Sequence, residues 1–162
     1  MRETAYLSLG SNLPDRERNL HTAIAALQPL GQVTAVSSFY ETEPVEFTAQ
    51  PWFLNCAVAL ETALTPLQLL TGILEIEQSM GRTRLQPKGP RLIDLDVLLF
   101  GGSVVQTAGL TIPHPAMHQR RFVLAPMVEI APQALHPVLR RTMQQLHDAL
   151  PEGGPAVRRI VE

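Results

Sequence analysis

Phe53-Leu54-Asn55-Cys56-Ala57-Val58-Ala59-Leu60-Glu61, with Thr65-Pro66-Leu67-Gln68 close behind it, is the stretch that decides the fold. Leu54, Cys56, Val58 and Leu60 recur with a period of two, which reads as a strand with one apolar face. Phe53 and Asn55 share the opposite face. Thr65 and Gln68 form a capping box, so a helix is predicted from there to about Met80, with Gly81 as its stop. Towards the N-terminus, Glu43–Pro51 contains prolines and no period and reads as a loop. Before it, Val33–Thr42 is rich in β-branched and aromatic residues and is expected to be one strand. A helix is expected from about Pro14, with Leu20, Ala23, Ile24 and Leu27 as its apolar stripe and Pro29 and Gly31 ending it. Thr4–Leu9 alternates and reads as the first strand, stopping at Gly10.

In the other direction, Leu92–Phe100 reads as a fourth strand closed by Gly101-Gly102, and a short strand is expected at Ser103–Gln106. Helices follow around Phe122–Ile130 and near Thr142–Leu150, then a Pro- and Gly-containing tail. The order β-α-β-β-α-β predicts an α+β, ferredoxin-like βαββαβ core: a mostly antiparallel sheet with helices packed on it, plus C-terminal helices. Such a sheet leaves its other face for ligands or further helices. Fold alone carries no chemistry.

The 162 residues suit one domain, 1–162, and at 45% hydrophobic and 17% charged they can bury a substantial core. Disordered, collagenous and disulfide-scaffold classes are excluded. The single cysteine, Cys56, cannot close an internal disulfide, which predicts a reducing, cytoplasmic setting and an inert core thiol. No stretch approaches about 18 apolar residues, and the first residues are too short and polar a run for a signal peptide, so no membrane partner is expected. A net charge of −2 argues against a nucleic-acid partner.

That charge is unevenly spread. Of the 13 basic residues only Lys88 is a lysine, and Arg82, Arg84, Lys88 and Arg91 fall together just before Asp94 and Asp96. In Asp94-Leu95-Asp96 the two carboxylates of a strand project from one face, roughly 7 Å apart at Cα. Two hard oxygen ligands placed this way suit Mg²⁺ carrying phosphates. A lone Asp-x-Asp is otherwise an exposed acidic pair, but like charges side by side on a strand call for nearby cations. Arginines offer planar bidentate donors to phosphate oxygens, while a solubilising surface loop is the plainer alternative. Neither G-x-x-x-x-G-K-[ST] nor G-x-G-x-x-G occurs, which speaks against P-loop and Rossmann nucleotide sites. Phe53 beside Asn55 offers an aromatic plate and an amide to a flat heterocycle, although alone the pair also fits ordinary packing. Phe122 is either a second plate or a core aromatic. His114 and His118 are either phosphate donors or without a role, and two histidines do not make a metal site.

Several motifs recur in order: Gly10-Ser11-Asn12-Leu13, Ser37-Ser38-Phe39-Tyr40-Glu41-Thr42-Glu43-Pro44, Phe53-Leu54-Asn55, Glu77 before Gly81-Arg82 and Arg84, Gly89-Pro90-Arg91 leading into Asp94-Leu95-Asp96-Val97-Leu98, Ile112-Pro113-His114-Pro115, and Arg120-Arg121-Phe122. Through them the chain, from roughly Ala5 to Pro132, resembles the 6-hydroxymethyl-7,8-dihydropterin pyrophosphokinases of folate biosynthesis. The resemblance implies the ferredoxin-like core and transfer of the β,γ-pyrophosphoryl group of ATP to the pterin hydroxymethyl oxygen, leaving AMP. It implies that Asp94 and Asp96 hold two Mg²⁺ and that Arg82 and Arg91 stabilise charge on the phosphates, with Arg84 and Lys88 assisting. Glu77, Val97, Thr111, His114 and Arg120 fall on the ATP side. Thr42, Val45, Phe53, Asn55 and Phe122 form the pterin pocket, with Phe53 and Phe122 stacking on opposite faces of the ring and Asp94 helping to orient the hydroxyl. Pro87-Lys88, Glu43 and Gly109 depart from the family pattern. A monomer is expected.

Two other classes compete on the residues alone. A βαββαβ sheet can be a non-catalytic RNA or ligand module, but RNP-like aromatics and a basic face are missing from the sequence. A two-metal phosphodiesterase usually needs more carboxylates or histidines than this cluster supplies.

Overall fold

The computed structural model describes residues 2–44, 51–81 and 92–160. Along the chain the elements are β1 (Glu3–Ser11), α1 (Arg16–Ala26), β2 (Gln32–Val36), β3 (Tyr40–Thr42), β4 (Phe53–Thr62), α2 (Pro66–Ser79), β5 (Asp94–Phe100), β6 (Val105–Thr107), β7 (Leu110–Ile112), α3 (Arg121–Ile130), β8 (Leu135–His136), β9 (Arg141–Thr142), α4 (Met143–Asp148) and β10 (Val157–Arg159). The main sheet runs β10-β3-β4-β1-β5, with β2 also paired to β4, and every pairing in it is antiparallel. This is the predicted βαββαβ arrangement.

Side-chain alternation along β4 divides the core in two. Leu54, Cys56, Val58 and Leu60 pack with Ala5, Leu7 and Leu9 beneath α1 and α2, whose Leu20, Ala23, Leu69 and Ile73 are buried there. Ala57, on the other face, packs with Leu99 beneath α3 and α4, against Val123, Leu124, Met127, Met143 and Leu146. The second pair of helices therefore covers only part of the second face. Phe53, Asn55, Asp94 and Asp96 stand on the same face at the other end of the sheet, outside that core.

The stretch Val33–Thr42, expected as one strand, is two. Val33 faces Leu60 and Ala35 faces Ala59, so the register slips at Thr34, and by Tyr40 the partner is Asn55. Between the two strands the Ser37 hydroxyl replaces a rung of the ladder: its Oγ accepts from Ala57 N at 2.9 Å while Ser37 N donates to Ala57 O at 2.9 Å. Phe39 turns into the core, its ring 5.1 Å from that of His21. Smaller corrections follow from local geometry. Helix α1 begins at Arg16 rather than Pro14, because Asp15 sits in the left-handed region at φ 65°. β5 begins at Asp94 rather than Leu92. The short strand at 103–106 is Val105–Thr107, hairpinned to a β7 that was not foreseen. The expected tail contains β10, which pairs with β3.

The capping box of α2 is present as predicted, with Gln68 N donating to Thr65 Oγ1 at 3.2 Å and Thr65 N donating to Gln68 Oε1 at 2.9 Å. Thr65→Ala leaves the Gln68 N–H without its acceptor and is expected to cost about 1 kcal/mol, lowering the melting temperature by about 2–4 °C in a thermal scan.

Candidate active site

Directly paired residues of adjacent strands project to the same face, so strand register alone assembles the site. Tyr40 pairs with Asn55, Asn55 with Gly10, and Gly10 with Asp94. On one side of that row lies the pair Thr42 and Phe53. On the other lies Ala57 beside Ser8 beside Asp96. The ring-binding candidates and the two aspartates thus occupy one face of four adjacent strands, with Gly10 between them. A Cβ built on Gly10 falls 2.7 Å from Asn55 Nδ2 and 3.6 Å from Phe53 Cδ1. Gly10 is therefore the gap through which these side chains reach the middle of the face. Gly10→Ala should displace the Asn55 amide without unfolding the sheet. The expected result is a loss of heterocycle affinity of about tenfold with unchanged nucleotide affinity, read by calorimetry.

Two buried polar atoms here have no hydrogen-bond partner: Thr42 Oγ1 and Asn55 Oδ1, on residues only 5% and 4% exposed. Buried polar groups are nearly always paired, so an orphaned hydroxyl and carbonyl on adjacent strands mark where a ligand edge with donors fits. Phe53 stands half-buried beside them. Phe122, at the start of α3, is also half-buried and packs at the margin of the second core, with the Arg120 guanidinium 5.5 Å from its ring centroid. Val45, expected in the same pocket, lies outside the described residues.

On the far side of Asp96 a cavity of about 320 Å³ opens between α2, β5 and β7. Leu70, Ile73 and Val97 give it an apolar wall, and Asp96, Thr111 and His114 bring its polar groups. Gly109 stands at its edge, where an added Cβ would meet nothing within 4 Å. His114 Nδ1 accepts from Ala116 N at 3.2 Å, which assigns the proton of the neutral ring to Nε2. Burial first, and then the Arg120 guanidinium, lower its pKa, with the Asp94 carboxylate opposing them. A neutral N–H donor is what this environment favours. His118 is not part of this group: it lines a different cavity and its ring stands 6.3 Å from that of His136.

Glu77 is 2% exposed, and its Oε2 accepts from Leu95 N at 2.8 Å. β5 ends the sheet on that side, so this carboxylate takes a backbone donor that no strand pairs, midway between Asp94 and Asp96. Among the described residues no group of three or more His, Cys, Asp or Glu converges as a metal cage. The donor set is two hard carboxylates on one strand face. That fits a magnesium ion that keeps waters and brings its own phosphate ligands. Arg82, Arg84, Lys88 and Arg91 lie outside the described residues. Cys56 is buried, and burial pushes its thiol pKa up to about 12, in keeping with an inert core position.

Two features owe their place in the site to the tertiary structure. Glu129, at the end of α3, accepts from Tyr40 Oη at 2.5 Å, from Ser38 N at 2.7 Å and from Ser38 Oγ at 3.0 Å. Burial works to raise the pKa of Glu129, but these donors hold it below the usual carboxylate range. Burial, and then the bond to Glu129, push the Tyr40 phenol up to about 12. The second is Gly10, whose motif was visible but whose place between Asn55 and Asp94 emerges only from the register.

Known proteins match this chain closely. Against the Bacillus subtilis 2-amino-4-hydroxy-6-hydroxymethyldihydropteridine pyrophosphokinase it is 48% identical over 135 residues, covering 82% of this chain and 81% of the relative. The Haemophilus influenzae protein of the same name is 43% identical over 136 residues, covering 83% of this chain and 85% of that one. The folic acid synthesis protein fol1 of Schizosaccharomyces pombe is 41% identical over 152 residues, 93% of this chain but only 21% of that longer protein. A solved Plasmodium falciparum HPPK-DHPS with pteroate superposes with a TM-score of 0.76 at 17% identity, over 91% of this chain and 44% of the other, a likeness of fold. The model of 7,8-dihydro-6-hydroxymethylpterin-pyrophosphokinase matches residues 6–132, which include the described parts of both halves of the site. The chain therefore belongs to the 7,8-dihydro-6-hydroxymethylpterin-pyrophosphokinase family, a family of enzymes.

Proposed function

We propose that this enzyme transfers the β,γ-pyrophosphoryl group of ATP to the hydroxymethyl oxygen of 6-hydroxymethyl-7,8-dihydropterin, with Mg²⁺, for folate synthesis. The observation that carries this reading is the row Thr42–Phe53, Asn55–Gly10–Asp94 and Ser8–Asp96. It sets two unpartnered buried acceptors and an aromatic plate, on β3 and β4, across β1 from a pair of carboxylates on β5. The ring edge would donate to Thr42 Oγ1 and Asn55 Oδ1, with Phe53 and Phe122 against its faces. Asp94, next in the row, would then lie near the hydroxymethyl group. The triphosphate would extend from the Asp94–Asp96 pair into the cavity walled by Leu70 and Ile73, with His114 Nε2 as a donor beside Thr111 and Arg120 as a cation acting near that histidine.

In the reaction the hydroxymethyl oxygen bonds to the β-phosphorus, the bond from that phosphorus to the α,β-bridging oxygen breaks, AMP departs and the hydroxyl proton is released. Magnesium, when bound by Asp94 and Asp96, supplies charge neutralisation of the phosphates. The chain itself supplies position and fixed dipoles, with no covalent intermediate on a protein side chain. Arg82 and Arg91 are assigned to phosphate charge, with Arg84 and Lys88 supporting them. Glu77 braces the strand between the aspartates, and Val97 walls the nucleotide cavity.

A sheet drawing strands from Glu3 to Arg159 supports one domain over 1–162. A free, buried Cys56 is in keeping with the cytoplasm. Among the described residues no helix is long and apolar enough to cross a membrane. Calorimetry tests the nucleotide half of the proposal. ATP should bind with Mg²⁺ and lose at least about tenfold in affinity with EDTA. Metal-independent binding would count against the assignment of Asp94 and Asp96.

A further inference from the structure

Behind the Thr42–Phe53 rung, on the opposite face of the sheet, lies a cluster of four side chains that the reaction does not use. Glu41 precedes Thr42 and Trp52 precedes Phe53, and two arginines from remote elements each touch both of them. Arg16, from α1, donates through Nη2 to Glu41 Oε2 at 2.9 Å and through Nη1 to Trp52 O at 3.0 Å. Arg158, from β10, donates through Nη2 to Glu41 Oε1 at 2.9 Å, and its guanidinium stands 5.1 Å from the Trp52 ring centroid. Each carboxylate oxygen of Glu41 therefore has its own guanidinium, and each guanidinium reaches across to Trp52.

The main chain repeats the connection. Val157 pairs with Thr42 and Arg158 with Glu41, while Glu43 N donates to Ala156 O at 3.0 Å and Ala156 N donates to Glu43 Oε1 at 3.3 Å. β3 is only three residues long. So short a strand is marginal on its own pairing. The Arg16 contact first, and then Arg158, hold the Glu41 carboxyl below the usual carboxylate range, although burial opposes them, so the cluster stays charged at neutral pH. An isolated exposed ion pair contributes little, but planar guanidiniums sharing one carboxylate, whose side chain is 18% exposed, form a network with defined geometry.

We propose that Glu41, Arg16 and Arg158 are positioning residues for heterocycle binding: they staple the residues before Thr42 and Phe53 together and so set the spacing of the ring-binding rung. The assignment rests on the pterin reading above. It makes β10 part of the substrate site's support: Val157 continues the Thr42–Phe53 rung on the ring-binding face, while Arg158 holds the rung from behind.

The test is steady-state kinetics of Glu41→Gln and Arg158→Ala, each checked for folding by a thermal melt. The expected result is a KM for the hydroxymethyl pterin raised by about tenfold, with kcat and the KM for Mg–ATP within about twofold of the parent. Arg158→Lys, which keeps a cation against Glu41 and Trp52, should recover most of the loss. An unchanged pterin KM in both variants would overturn the proposal. So would a parallel fall in both substrates' parameters that tracks the melting temperature, since that is the signature of general destabilisation. A parent enzyme that makes no AMP would instead bring down the pterin reading, and this assignment with it.

Discussion

Asp94→Ala and Asp96→Ala are each expected to lower kcat for AMP formation by at least about 10³-fold, some 4 kcal/mol of lost transition-state stabilisation, while heterocycle affinity changes by less than about threefold. The asymmetry follows from the sheet. Both aspartates stand on β5, whereas the unpartnered acceptors for the ring stand on β3 and β4, across β1. On the proposed reading, removing a carboxylate takes away a magnesium ligand and leaves the Thr42–Asn55 pocket standing. The two variants should both retain a cooperative melt, because β5 is anchored by Leu95, Leu98 and Leu99, all buried, rather than by its half-exposed acids. Stopped-flow or coupled assays with saturating Mg–ATP measure the kcat effect, and calorimetry with the pterin measures the affinity. Near-normal turnover in both variants would remove the metal assignment.

Asn55→Leu carries the next largest effect. It keeps the volume of a nearly fully buried side chain but replaces the orphaned Oδ1 with a methyl group. The apo fold loses no bond made by Oδ1, so stability should hold or rise. The bound ring, however, would face an apolar surface with a donor that has left water, a penalty of about 1–3 kcal/mol. The pterin KM should therefore rise by about 10- to 100-fold with little change in the KM for Mg–ATP. Equal losses for both substrates would show that Asn55 acts on the whole site and not on the ring edge.

The alternation of Phe53–Glu61 and of Asp94–Phe100 was legible because a period of two is a local property. It placed Phe53 with Asn55 and Asp94 with Asp96 on single faces. That the two pairs share one face, with Gly10 between them, depends on register between strands far apart in sequence, which no local pattern encodes. The break between β2 and β3 was hidden for the opposite reason: β-branched and aromatic residues run through Val33–Thr42, and one serine hydroxyl replaces a rung of the ladder. β10 has three residues and becomes a strand only because β3 is there to pair with it. The Glu41 staple draws Arg16 from 25 residues before and Arg158 from 117 residues after, so no sequence spacing announces it. The basic segment Arg82–Arg91 stands out strongly in the sequence and lies outside the described residues.

The account turns on which phosphorus is attacked, and the products report that directly. Incubation with Mg²⁺, ATP and 6-hydroxymethyl-7,8-dihydropterin, followed by phosphorus NMR and nucleotide chromatography, should show AMP and a pterin diphosphate forming one for one. ADP as the stoichiometric nucleotide product, with a pterin monophosphate, would contradict it.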